Sequence, residues 1–239
     1  MKRKLKQVTF TGVDKWTNLE ELKRVQEEYP IIEFGILLSK NWANNGPRYM
    51  NPADLGKFKD QGLTLSGHLC GSIAREAVRD NWESVIELCQ GNFDIFQRCQ
   101  LNIVGAENLP RRLELYNIPK NLKEVLIQQH SSEECDFFLS GLGNSRTTVL
   151  LDGSGGRGIN TGNSYLDLPI KVGYAGGIGP DNIVDKIKFL EENENVGPSF
   201  WIDMESSVRT DEKFDLNKIR TVMWRICDWY EKENKGWTP

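Results

Sequence analysis

Eight short runs rich in branched and aromatic residues recur along the chain, separated by longer polar or amphipathic stretches. That recurrence constrains the fold more than any single motif does. The runs are QVTFTG (7–12), IIEFGILL (31–38), LTLSGHL (63–69), FDIFQRCQLN (93–102), EVLIQQH (124–130), TTVLLD (147–152), IKVGYAG (170–176) and SFWIDME (199–205), and each reads as a strand. Between them TNLEELKRVQEEY (17–29) carries Leu19, Leu22 and Val25 at helical spacing, behind Thr17 or Asn18 as a cap. NPADLGKFKDQ, SIAREAVRDNWESVIELCQ, GPDNIVDKIKFLEEN and DLNKIRTVMWRICDWYEKE follow the same pattern. Alternating strands and helices predict an α/β protein with a parallel sheet. Eight such units in 239 residues predict a single (β/α)8 TIM barrel domain over 1–239. A doubly wound open sheet would place its glycine-rich turn after the first strand, whereas here the glycine clusters follow the sixth and seventh.

Composition narrows the class. A net charge of −4 argues against broad nucleic-acid binding, which normally leaves a basic surplus, but leaves room for a few arginines focused on a small anion. Cys70, Cys89, Cys99, Cys135 and Cys227 form an odd set without finger-like spacing, which predicts reduced thiols and no structural metal. The basic start MKRKLKQVTF is not followed by an apolar stretch long enough for a signal peptide or a membrane span. The expectation is a cytoplasmic monomer or homodimer with no membrane partner.

In a (β/α)8 barrel the chemistry sits at the C-terminal ends of the strands, and phosphate commonly binds where the loops after strands seven and eight meet. DGSGGRG follows the sixth predicted strand, AGGIGPDNI the seventh and MESSVRTDEKFDLNKI the eighth. Gly176 and Gly177 allow close backbone approach, Pro180 and Asp181 have the residue types that open a helix, and Ser206 and Ser207 add amides and hydroxyls. Together with Gly155 and Gly156 they are the candidate phosphate-binding residues. The alternative for a glycine pair alone is a tight turn.

VLLDGSGGRGIN (149–160), YAGGIGPDNI (174–183), IDMESSVRTDEKFDLNKIRTVM (202–223) and FGILLSKNWANNGPRYMNPADLGKF (34–58) resemble, in order and spacing, segments of the phosphoribosylanthranilate isomerase family of tryptophan-pathway barrels. The resemblance runs from about residue 8 to 225. It implies an Amadori rearrangement, in which the ring of an aminoribose 5-phosphate opens and an aldose becomes a ketose. That chemistry needs a general acid and a general base, and neither a metal nor an organic cofactor. The resemblance makes Asp152 the acid, with a glycine loop behind it able to close over substrate. It places Arg48 where a guanidinium would hold the anthranilate carboxylate. Arg157 would reach the phosphate or simply keep the loop soluble.

One position departs from the family pattern. The resemblance implies a cysteine base at the end of the first strand, and here Thr11 stands before Gly12. A threonine hydroxyl has no accessible ionised form near neutrality, so Thr11 is left as a substrate contact, and either the base has moved, the substrate has changed, or catalysis was lost while the phosphate site stayed. His68 and Cys70, two apart on the third strand and hence on one face, are the candidates, with Asp14 a third. The alternative is that both are buried packing residues. Gln100, Asn102, Gln128 and His130, at the ends of strands four and five, are expected to line the pocket. The leading expectation is an aldose–ketose isomerase. Another isomerase or lyase on a phosphosugar, and a non-catalytic barrel that binds a phosphorylated ligand, stay open beside it.

Overall fold

The computed structural model describes residues 4–103, 117–131, 146–154, 158, 165–166, 170–193 and 197–233. Eight strands, β1 (Leu5–Thr11), β2 (Ile32–Leu38), β3 (Leu65–Cys70), β4 (Arg98–Asn102), β5 (Glu124–Gln129), β6 (Thr147–Asp152), β7 (Val172–Ala175) and β8 (Phe200–Met204), form a closed barrel in chain order. Every neighbouring pair is parallel, and β1 closes on β8 with Thr9 beside Asp203 and Phe10 beside Met204. Among the described residues the α-helices are α1 (Leu19–Glu28), α2 (Ser72–Val78), α3 (Trp82–Leu88), α4 (Ile183–Glu192) and α5 (Leu216–Lys232), and a two-stranded ribbon of β9 (Arg209–Thr210) and β10 (Lys213–Phe214) follows β8. Asn18 caps α1 by accepting the Glu21 amide, and Asp215 caps α5 by accepting from Asn217 and Lys218. No helix among the described residues is long and apolar enough to cross a membrane.

Each strand divides its side chains between two environments, because successive residues alternate across it. One set, including Val8, Phe10, Phe34, Ile36, Leu101, Ile127, Val149 and Ile202, packs with Leu22, Val25, Ile73, Ile187 and Ile226 of the helices in the main hydrophobic core. The other set fills the barrel. Leu126, Leu150 and Trp201 form a separate apolar layer inside it. Toward the N-terminal ends of the strands lies an ion cluster. Arg98 pairs with Glu33 (3.0 Å) and Glu124 (2.8 Å), Lys171 pairs with Glu124 (3.0 Å), and Thr9 donates to Glu33 (2.9 Å). The Arg98 guanidinium lies 4.5 Å from the centre of the Trp201 ring, so the indole face receives a cation from below.

Gly173 makes room for that indole. A Cβ on it would come within 2.3 Å of Trp201 ring carbons and 2.6 Å of a Leu150 methyl. Gly173→Ala is expected to destabilise the protein by about 1–3 kcal/mol through overpacking. The urea midpoint should fall with an unchanged slope. An unaltered midpoint would mean that the ring moves aside at no cost.

Three predicted elements differ from the sequence reading. The run 93–102 is a strand only from Arg98. Phe93–Ile95 is a 3-10 turn whose Phe93 ring packs against Trp82 and Phe96, so its aromatics serve the helix layer rather than the sheet. The stretch 72–90 is two helices, because Asp80 takes a left-handed φ of 64° and accepts the Asn117 amide. The stretch 51–61 is a 3-10 segment, Pro52–Phe58, capped by Asn51.

Candidate active site

Two residues beyond each member of the apolar layer, the same interior face presents Gln128, Asp152 and Asp203. Strand periodicity thus converts a dry layer into a polar one at the C-terminal end of the barrel. A cavity of about 690 Å³ opens there, and Asp152, His68, Cys70, Arg48, Gln100, Gln128, Gly176, Gly177, Ser206 and Ser207 all line it. So do Asn102, His130, Tyr49, Ser154, Gly158, Asp203 and Glu205. Gly155, Gly156 and Arg157 lie outside the described residues.

Asp152 ends β6 with its carboxylate held in place. Oδ1 accepts from the Ser154 amide (3.0 Å) and hydroxyl (2.6 Å), and Oδ2 accepts from Gln128 Nε2 (2.7 Å). Gly176, with φ of 97°, lets the next loop pass close by, since a Cβ there would sit 3.0 Å from Asp152 Oδ1. The strand-end acid and the glycine turn after β7 are therefore packed against each other.

The two base candidates face the cavity in protonation states that do not suit a base. Burial, reinforced by the charge of Arg98, pushes His68 down to about 3. Its ring is neutral, with Nε2 3.0 Å from Ser66 Oγ and Nδ1 3.4 Å from Thr11 Oγ1. Burial pushes the Cys70 thiol up to about 11, outweighing hydrogen bonds from Tyr49 and Asn102. Neither is an effective proton acceptor near neutrality. Asp14 is elsewhere: it is buried, paired with Arg209 at 3.0 Å, and accepts the Phe214 amide.

Thr11 is 1% exposed and is not among the residues lining the cavity; its hydroxyl donates to Asp203 Oδ1 at 2.6 Å. Gly35 on β2 makes this possible, since a Cβ there would meet Thr11 Oγ1 at 2.4 Å and His68 Nε2 at 2.9 Å. Burial holds the Asp203 carboxyl up at about 8, against the lowering effect of the Thr11 hydrogen bond and with help from the negative charges of Glu205, Glu33 and Asp152. Sequence reasoning passed over Asp203 and Glu205 because they sit in an apolar strand. Their signal was their spacing: two acids two apart share a face.

Arg48, from the loop after β2, crosses the cavity to Glu205 and bonds it at 2.6 Å. Burial raises the Glu205 carboxyl above its ordinary value, while Arg48 and Arg209 pull it back. The loops after β7 and β8 complete the rim. Asn182 accepts the Gly179 amide and donates to the Gly177 carbonyl, both at 2.8 Å, and Ser207 Oγ donates to the Ile178 carbonyl at 2.5 Å. This fixes the Gly177–Gly179 turn against the 3-10 turn Ser206–Val208. The helix after it starts at Ile183 behind Asn182, so Pro180 and Asp181 belong to the loop instead of opening the helix. There they engage Arg225.

The barrel is similar to two solved archaeal enzymes. One is N-(5'-phosphoribosyl)anthranilate isomerase from Pyrococcus furiosus, with a TM-score of 0.57 and 17% identity over 93% of this chain and 98% of that one. The other is phosphoribosyl anthranilate isomerase from Thermococcus kodakaraensis, with a TM-score of 0.55 and 16% identity over 93% and 99%. These share its architecture. A truncated 3-deoxy-D-arabino-heptulosonate 7-phosphate synthase from Thermotoga maritima is also similar, with a TM-score of 0.52 and 12% identity over 97% and 89%. No protein-family model and no curated protein matches the chain. At such identities the likeness is one of fold, and any function has to be argued from the cavity.

Proposed function

We propose that this protein is a divergent phosphoribosylanthranilate isomerase-like enzyme that converts a phosphorylated aminoribose from aldose to ketose. The observation that carries the reading is that Asp152 at the end of β6 shares one cavity with the Gly176–Gly177 turn and the Ser206–Ser207 turn. Among the described residues the Gly177 and Ile178 amides have no acceptor, and the leading amides of the Ser206–Val208 turn have none within their helical turn. Unpaired amides converging from two loops suit a phosphate. Asp152 then lies a short sugar's reach from the anion, where a proton can be given to the ring oxygen. The test is the loss of phosphoribosylanthranilate fluorescence, with the substrate generated in situ. Turnover that disappears in Asp152→Asn supports the reading, and a folded wild-type protein without turnover overturns it.

The Arg48–Glu205 pair favours a second reading, a phosphosugar whose other end carries no carboxylate. With Glu205 already on Arg48, an anthranilate carboxylate has to compete for the guanidinium. Glu205→Gln is expected to tighten binding of a carboxylate-bearing ligand by about 10- to 100-fold, the value of one freed charge-assisted hydrogen bond. A titration of anthranilate fluorescence reads this directly. Unchanged affinity would remove Arg48 as the carboxylate contact.

A further inference from the structure

We propose that Asp203 is the general base of the isomerisation, held in position by Thr11. The inference rests on the isomerase reading above. An aldose–ketose rearrangement moves a proton from the second sugar carbon, and a group facing the substrate cavity has to receive it. Of the titratable side chains on the cavity wall, Glu205 is engaged by Arg48, His68 is neutral between two hydroxyls, Cys70 is a protonated thiol, burial keeps the Tyr49 phenol protonated, His130 is turned to the β6 side with Nδ1 3.2 Å from the Asp152 carbonyl oxygen, and Asp152 belongs to the glycine turns. Asp203 is left. It enters from β8, at the seam where that strand pairs with β1, so its carboxyl stands at the C-terminal end of the first strand without being part of it. The Thr11 hydroxyl fixes Oδ1, which leaves Oδ2 for the substrate.

The step balances without an added reactant. Asp152 gives its proton to the ring oxygen as the bond from that oxygen to the first carbon breaks, and the nitrogen lone pair forms the iminium. Asp203 takes the proton from the second carbon; the electrons of that bond make a double bond to the first carbon, and the iminium π-electrons return to nitrogen. The enol hydroxyl proton then restores Asp152 while Asp203 delivers its proton to the first carbon, leaving the ketone. The groups that act on Asp203 are Thr11 on β1, Glu33 on β2, Asp152 at the end of β6 and Glu205 just after β8; His68 on β3 lies on the other side of the Thr11 hydroxyl, 3.4 Å from it. Burial, with the charges of Glu205 and Glu33, raises its proton affinity into the range where a base works best.

The experiment is the pH dependence of kcat/KM for wild type, Asp203→Asn and Thr11→Val, with deuterium incorporation into the ketose from D2O as a second readout. The base acts when ionised, so wild-type kcat/KM should rise with pH through about 8. Asp203→Asn should lose about 10²- to 10⁴-fold in kcat/KM. Thr11→Val removes the hydrogen bond that lowers Asp203, so the rising limb should move to higher pH while the circular dichroism spectrum holds. That shift is one a purely structural Thr11 would not cause. Wild-type turnover retained in Asp203→Asn, or a limb unmoved in Thr11→Val, overturns the assignment and leaves the isomerase reading standing. A wild-type protein without turnover at any pH overturns both.

Discussion

Asp152→Asn is expected to lower kcat/KM for phosphoribosylanthranilate by about 10²- to 10⁴-fold, the usual worth of a positioned proton donor. The fold should survive. The new amide can keep its oxygen toward the Ser154 amide and hydroxyl, which both donate to Oδ1, and turn its nitrogen toward Gln128. Gln128 can in turn invert its own amide to accept, since its oxygen and nitrogen are nearly equal in shape. An inactive variant with a wild-type melting curve therefore isolates the chemistry. Retention of more than a tenth of wild-type activity would remove Asp152 as the acid.

The largest stability effect is expected for Arg98→Met. The Arg98 side chain is 6% exposed and pairs with Glu33, which is 0% exposed. Taking away one partner of a buried pair costs about 3–5 kcal/mol, because it strands the other charge. The cation over the face of Trp201 goes with it. Chemical denaturation should report the loss, and the double variant Arg98→Met with Glu33→Leu should recover most of it. Failure of the double variant to recover stability would show that Arg98 acts through packing against Trp201 rather than through charge.

Much of this barrel was legible in the sequence. Runs such as EVLIQQH and TTVLLD carry branched residues on the face that meets the helices, and β5 and β6 appear within a residue of the predicted limits. FDIFQRCQLN was over-extended because a 3-10 turn packed on Trp82 uses the same aromatic residues as a strand. The break at Asp80 was hidden because nothing local demands a left-handed aspartate; the contact with Asn117 that accompanies it is remote in sequence.

The site followed the same division. Asp152, Gln100, Gln128, Gly176 and Ser206 sit at strand ends or glycine turns, where polar residues stand out, and the cavity gathers them all. Thr11 read as a substrate contact because a hydroxyl cannot act as a base. Its hydroxyl bonds Asp203, a partner 192 positions away. Nor could sequence reveal that His68 is kept neutral, since its state depends on depth and on Arg98 across the barrel.

The ion cluster under Trp201 has a consequence beyond fold stability. Arg98 lowers the proton affinity of His68 and Glu33 raises that of Asp203, although both lie on the far side of the apolar layer. The foundation of the barrel thus acts as a bias voltage on the titratable groups of the cavity. An engineer who replaced it with a tighter hydrocarbon packing would gain rigidity and shift the titration of His68 and Asp203 in one stroke. In this molecule durability and acid–base tuning are inherited together.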